Sequence, residues 1–200
     1  MGKRTIVVVD YDPQWVTNYA TEASAIAQAL GDVAVRIHHI GSTAVPGLPA
    51  KPVIDMLLEV VSLSDLDRLD HVMVDLGYRP RGENGIAGRR YYTKGGDART
   101  HHLHAFVVGD EPIQRHLAFR DYLRVNPDVC AEYAAIKRAA ALACDNDAAV
   151  YSQLKMTLLP LMRRSHSHLL RIRRFSYIAN APLRSIFREQ IERRGNRCEY

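Results

Sequence analysis

The sequence predicts an α+β domain: a mixed β-sheet flanked by helices, with a helical C-terminal region. Three observations predict it. Over the first 108 residues, β-rich and helical segments are interspersed. One β-rich segment, Val53–Val61, is apolar almost throughout, which marks a strand inside a sheet rather than at its edge. From Glu111 onward the apolar spacing is helical only.

Residues 6–9 (IVVV) read as a short apolar strand. Asp10 or Asp12 then precedes a helix, with Pro13 near its first turn. Trp15, Tyr19, Ala23, Ile26 and Leu30 recur at helical spacing, and Gly31 closes the helix. Residues 33–40 alternate as a strand that Gly41-Ser42-Thr43 breaks, and Pro46-Gly47 marks a turn. Pro52 suits the start of the next strand, Val53–Val61. Ser64 is the expected cap of a helix running to about Leu76, closed by Gly77. Tyr78–Arg81, Gly88–Lys94 and Thr100–Val108 read as further strands. Helices are expected over 112–125, 128–143 and 147–163, with Asp147 as a natural cap and Pro160 ending or kinking the last.

The chain has 200 residues, 47% hydrophobic and 24% charged, the composition of an ordinary globular domain with a core of its own. No apolar run approaches the roughly 18 residues of a membrane helix. The apolar core of the opening segment is too short for a signal peptide, so a cytoplasmic protein without membrane partners is the expectation. Three cysteines, at 130, 144 and 198, cannot all pair, and none has zinc-finger spacing. The net charge of +5 is unevenly placed. Residues 163–200 hold ten Arg and three Glu, hence +7, and the body is −2. A nucleic-acid partner is therefore conceivable only through this basic tail, and the expected division is a domain over 1–164 and an extension over 165–200.

The densest stretch for chemistry is His38-His39-Ile40-Gly41-Ser42-Thr43 followed by Lys51-Pro52-Val53-Ile54-Asp55. Gly41 lets backbone approach a ligand closely. Ser42 and Thr43 supply hydroxyls, and consecutive amides in such a turn can cradle an anion. Asp55 is a lone carboxylate in an apolar strand, costly unless paired or metal-bound. His102 and His104, at i and i+2, share one strand face about 6.6 Å apart at the backbone. His101 is expected to face outward. His39 points opposite to His38; a contact to phosphate or Asp55 and a structural role are both open. His116, Arg120 and Arg124 form a basic stripe at i, i+4, i+8, and Tyr133 with Lys137 and Tyr151 with Lys155 repeat that spacing.

The strings HHIGSTAVPGLPAKPVID, GRRYY, RTHHLH, HLAFRDYLR, EYAAIK and YSQLK closely resemble the GrpB family, over residues 6 to 164. That family looks like a branch of the nucleotidyltransferase superfamily, and related domains occur fused to dephospho-CoA kinase, with an accessory role in folding suggested there. The resemblance implies a nucleotidyltransferase-like sheet and a nucleotide or phosphorylated substrate, with nucleotidyl transfer if the protein is an active enzyme. The non-catalytic alternative is a ligand-binding or folding-accessory domain.

Ile40, Gly41, Ser42 and Asp55 match the superfamily pattern, which implies catalytic roles for Asp55 and Ser42; Gly41, Ser42, Thr43, Lys51 and His39 are the candidate contacts to the ligand. The second carboxylate of the pattern is Leu57 here. Glu59 does not replace it, since it lies roughly 13 Å from Asp55 along the strand. The implied cofactors are a nucleoside triphosphate and a divalent metal: Mg2+ or Mn2+ by the superfamily pattern. His102 and His104 would complete a set with Asp55 that also admits Zn2+ or iron, in an enzyme of another class. The HLAFRDYLR match makes Arg120 the first choice for an anion contact. Lys51 and Lys155 come second, and Arg89 with Arg90 beside Tyr91 third.

Overall fold

A computed structural model describes residues 7–144, together with 147, 150, 151, 153 and 154. Lys155, Cys198 and the basic extension over 165–200 lie outside the described residues.

Five strands form one mixed sheet: β1 (Ala34–Ile40), β2 (Ile54–Val60), β3 (Tyr78–Pro80), β4 (Arg90–Lys94) and β5 (His101–Val107), in the order β1-β2-β5-β4-β3. Only β2 and β5 run parallel; the other pairs are antiparallel. The α+β expectation holds. The first expected strand does not form, because within the described part of residues 6–9 only Val9 bridges Ala50.

Helix α1 (Gln14–Leu30) starts where the Asp12 carboxylate accepts from the Gln14 N–H, 2.9 Å. It buries Trp15, Ile26 and Leu30 on one sheet face. The single helix expected after Ser64 is two short ones, α2 (Leu63–Arg68) and α3 (Asp70–Asp75). The cap is Ser62, whose hydroxyl accepts from the Asp65 N–H; Ser64 sits inside the first turn and bonds Ser62 instead. Leu69, outside helical geometry, separates the two. Met56, Leu58, Leu66, Met73, Tyr92 and Leu103 complete this core.

The opposite face carries α4 (Glu111–Val125), which lays Ile113 and Leu117 on Ile40, Leu57 and Phe106. Helix α5 (Pro127–Ala143) follows after Asn126, and both have Pro in the first turn, where no N–H is missed. Leu123, Val129 and Tyr133 clamp Val45 and Leu48 of the segment between β1 and β2. Asp147 caps the next turn through its carboxylate on the Val150 N–H, as expected. Among the described residues, no helix is long and apolar enough to cross a membrane.

Candidate ligand site at the Gly41 turn

Strand register decides which side chains meet. Asp55 pairs with Ile40 on one side and with His102 on the other, and Leu57 pairs with His104. All five side chains therefore stand on the α4 face of the sheet. His102 Nδ1 lies 3.0 Å from Asp55 Oδ1. The expectation that the His pair faces the same side as Asp55 agrees with this geometry. One correction concerns burial: Asp55 is the only residue of β2 that is not fully buried, its side chain 34% exposed. Its charge is thus partly solvated at the head of the strand, which reduces the cost of placing it there.

The turn after β1 presses on this carboxylate. Gly41 has φ 70° and ψ −165°, a conformation open in practice only to glycine, and a Cβ built on it would lie 2.7 Å from Asp55 Oδ2. Ser42–Ala44 then form one 3₁₀ turn. Tyr133 of α5 faces Ser42, whose proximity lowers the pKa of its hydroxyl, but burial outweighs this and pushes it far above its ordinary value. Thr43 is buried, its hydroxyl 3.0 Å from His39 Nε2.

His39 is not beside Asp55 on the same face. It points to α1, where its ring stacks on Tyr19 at 4.6 Å, and burial holds its pKa down to about 4. Of the two openings left by the sequence, the structural one describes its contacts. His101 shares that face and is half-buried rather than outward, because α1 covers the sheet there. Glu59 is bonded to His38 at 2.6 Å, well along the sheet from Asp55.

The first-choice anion contact is already engaged. Arg120 donates Nη1–H to the His39 carbonyl, 3.0 Å, and its Nε–H and Nη2–H to the Asp121 carboxylate, 2.7 and 3.0 Å. Arg124 donates twice to the Ala44 carbonyl, at 3.0 and 2.7 Å. The basic stripe of α4 thus ties down the turn from both ends. Lys51 lies over the Tyr151 ring at 5.0 Å. Lys137, which repeats the i, i+4 spacing with Tyr133, is buried and donates to the Pro49 carbonyl.

Deeper under α4, Arg89 is buried on the face of Tyr91, 4.8 Å from the ring centre. It donates to the Glu83 and Asn84 carbonyls and to His104 Nδ1, the last at 3.3 Å. Arg90, its neighbour, turns to the other face and pairs with Asp67. His116 of α4 comes within 5.7 Å of the His104 ring. Burial lowers the pKa of both imidazoles, that of His104 to about 4. The Arg89–His104 contact and the role of His116 beside it are invisible in spacing alone, since they need the β4–β5 register.

The expected metal set is not assembled. His102 turns one nitrogen to Asp55, and His104 turns one to a guanidinium. Among the described residues, no group of three or more His, Cys, Asp or Glu side chains could hold a metal ion. A resident, protein-caged metal does not fit this donor set. A magnesium ion that keeps its waters and phosphate oxygens fits better, since it needs only one or two carboxylates.

Residues 5–163 match the family model described as GrpB protein. The chain belongs to the GrpB family. Relatives include UPF0157 protein YqkA of Bacillus subtilis, 46% identical over 139 residues, 70% of this chain and 40% of that one. Glutamate-rich protein GrpB of Alkalihalophilus pseudofirmus is 31% identical over 160 residues, covering 78% of this chain and 92% of that one. A dephospho-CoA kinase of Mycolicibacterium paratuberculosis is 29% identical over 180 residues, which is 44% of its length. The chain spans less than two thirds of the Bacillus relative. The crystal structure of GrpB from Enterococcus faecalis superposes with a TM-score of 0.72 at 37% identity, covering 80% of this chain and 99% of that one. The Cid1 poly(U) polymerase bound to MgATP superposes at 0.53 with 13% identity, over 88% of this chain and 57% of that one, a likeness of fold alone. The GrpB domain therefore has a nucleotidyltransferase-like fold.

Proposed function

We propose that this GrpB domain binds a nucleotide or other phosphorylated small molecule, with the phosphates against the Gly41–Ser42 turn and an accompanying divalent cation on Asp55. The observation that carries this reading is the approach of the Gly41 backbone to the Asp55 carboxylate, with a Cβ position only 2.7 Å from Oδ2. That approach brings the backbone of the turn beside one partly exposed carboxylate. Amides would meet phosphate oxygens, and Asp55 would meet the magnesium or manganese that neutralises them. Bound metal would supply charge neutralisation. Asp55 would orient it, His102 would hold Asp55 from Nδ1, and Ser42 would present a hydroxyl to the ligand.

Leu57 supports binding over two-metal nucleotidyl transfer. It is fully buried under Ile113 where the second carboxylate would stand, and a methyl pair cannot hold a second cation. The similarity to part of a dephospho-CoA kinase supports the same preference, for a ligand-binding or accessory domain.

The test is a thermal-shift and calorimetric screen of nucleoside triphosphates, coenzyme A precursors and sugar phosphates, each with and without magnesium or manganese. A ligand at a hundred times its Kd raises stability by about 2.7 kcal/mol. Asp55→Asn is expected to abolish the metal-dependent part of any shift. Metal-dependent binding that survives in Asp55→Asn overturns the role of that carboxylate.

A further inference from the structure

The hairpin loop between β3 and β4 holds the one Asn-Gly pair of the chain, Asn84-Gly85. Both residues are exposed, and both have positive φ, 45° and 82°. The Ile86 N–H donates to the Glu83 carbonyl, 3.1 Å, so Asn84 and Gly85 are the central pair of a type I′ turn. The buried Arg89 guanidinium fastens this turn. Its Nη2–H donates to the Asn84 carbonyl at 2.8 Å, and Nε–H and Nη2–H donate to the Glu83 carbonyl at 3.1 and 3.0 Å. The Glu83 carboxylate closes the loop on the Gly88 N–H, 2.8 Å. No atom beyond its chain neighbours comes within 4 Å of a Cβ built on Gly85. The outer side of the turn is therefore open to water.

Asparagine before glycine can react with its own backbone. The Gly85 nitrogen, once a solvent base takes its proton, attacks Asn84 Cγ; the new C–N bond closes a succinimide, and the side-chain nitrogen leaves as ammonia. Water then opens the imide at either carbonyl and yields aspartate or isoaspartate. Glycine admits the attack because it has no Cβ to crowd the nitrogen. Ring closure needs that nitrogen nearly eclipsed with the Asn84 Cβ about the Cα–C bond. A type I′ turn holds Asn84 at a ψ of about 30°, which sets the nitrogen nearly opposite Cβ. Reaction therefore requires a swing of the Asn84 carbonyl, the group that Arg89 holds. We propose that Asn84 is a gated deamidation site: Arg89 keeps the turn unreactive, and conversion to aspartate or isoaspartate follows when the loop opens. Isoaspartate adds a methylene to the main chain at the point of attachment. The Glu83 and Asn84 carbonyls then no longer both meet Arg89, and the guanidinium that contacts His104 loses its loop anchor.

The experiment incubates the full native chain at mildly alkaline pH beside a synthetic peptide of residues 79–92. Position 84 is followed by mass spectrometry of the tryptic fragment 82–89, with chromatographic separation of aspartate from isoaspartate. The peptide, free of the clamp, is expected to convert at least about tenfold faster than the native chain, and Arg89→Met, which removes a charged hydrogen bond to the carbonyl that must swing, should raise the native rate about tenfold. Circular dichroism shows whether that variant is folded. If it is not, Glu83→Ala takes its place, since it removes the surface bond to the Gly88 N–H and keeps the guanidinium; its native rate should rise severalfold. A native chain that converts as fast as the peptide overturns the proposal. So does a folded variant of either kind that converts no faster than the unmodified chain, and so does a peptide that does not convert at all.

Discussion

Gly41 and Asp55 constrain each other. A Cβ at Gly41 would overlap Oδ2 at 2.7 Å, and the backbone there, at φ 70°, is strained for any side chain. Gly47 also has positive φ, but a Cβ there meets nothing within 4 Å. The two glycines separate the conformational cost from the steric one. Gly47→Ala should cost about 1–2 kcal/mol from the backbone alone. Gly41→Ala should cost about 2–4 kcal/mol, since displacement of the Asp55 carboxylate adds to the same penalty. Urea midpoints of the two variants check this. Equal losses would mean that the carboxylate moves aside freely and that the turn does not define its position.

Helix α4 works as a strap over the turn. Arg120 reaches the His39 carbonyl before it and Arg124 the Ala44 carbonyl after it. His39 sits near the end of the edge strand β1 and Ala44 in the irregular turn, and the two guanidiniums give each of these carbonyls a donor. Arg124→Met should lower stability by about 1.5–3 kcal/mol, the range for a charged donor removed from a partly buried acceptor. It should also speed amide exchange at Ser42–Ala44 while leaving β3 and β4 unchanged. Uniform protection loss would show a general weakening instead. Sequence periodicity placed α4 and its stripe correctly but not the direction in which the stripe faces, because spacing reports which residues share a face and not what that face meets. The same holds for β5. Alternation put His102 and His104 together, yet only the parallel pairing with β2 sets His102 beside Asp55. The expected helix after Ser64 failed for a local reason: Ser62, one residue before the helix, competes as the cap, and Leu69 leaves helical geometry. Arg89 was legible as a cation near Tyr91. Its three-way anchoring to a loop and to His104 was not.

The whole molecule carries imidazoles in both layers of its core. His39 under α1 and His104 under α4 are each pushed down to about 4, chiefly by burial, against the raising influence of Asp55. His101 and His116 are lowered too, again by burial first. In the unfolded chain these rings titrate near 6.5. Below that pH the unfolded state takes up protons that the folded state refuses, so stability is complete above about pH 6.5 and falls as the pH drops toward 4. At about 1.4 kcal/mol per pH unit, His39 and His104 should each remove about 3 kcal/mol over that window. Asp67 and Asp121 also favour the folded state, through Arg90 and Arg120, but both are lowered from 3.8, so their contribution is lost only at still lower pH. The two classes therefore separate on the pH axis. Urea midpoints measured at pH 7.5, 6.5, 5.5 and 4.5 should be level across the first two and fall steadily across the rest. His39→Gln, which removes the titration but keeps a polar side chain near Thr43, should flatten part of that fall while lowering the plateau. A profile level down to pH 4.5 would mean that these rings become protonated in the folded state with little penalty, and that the layers on either side of the sheet admit water.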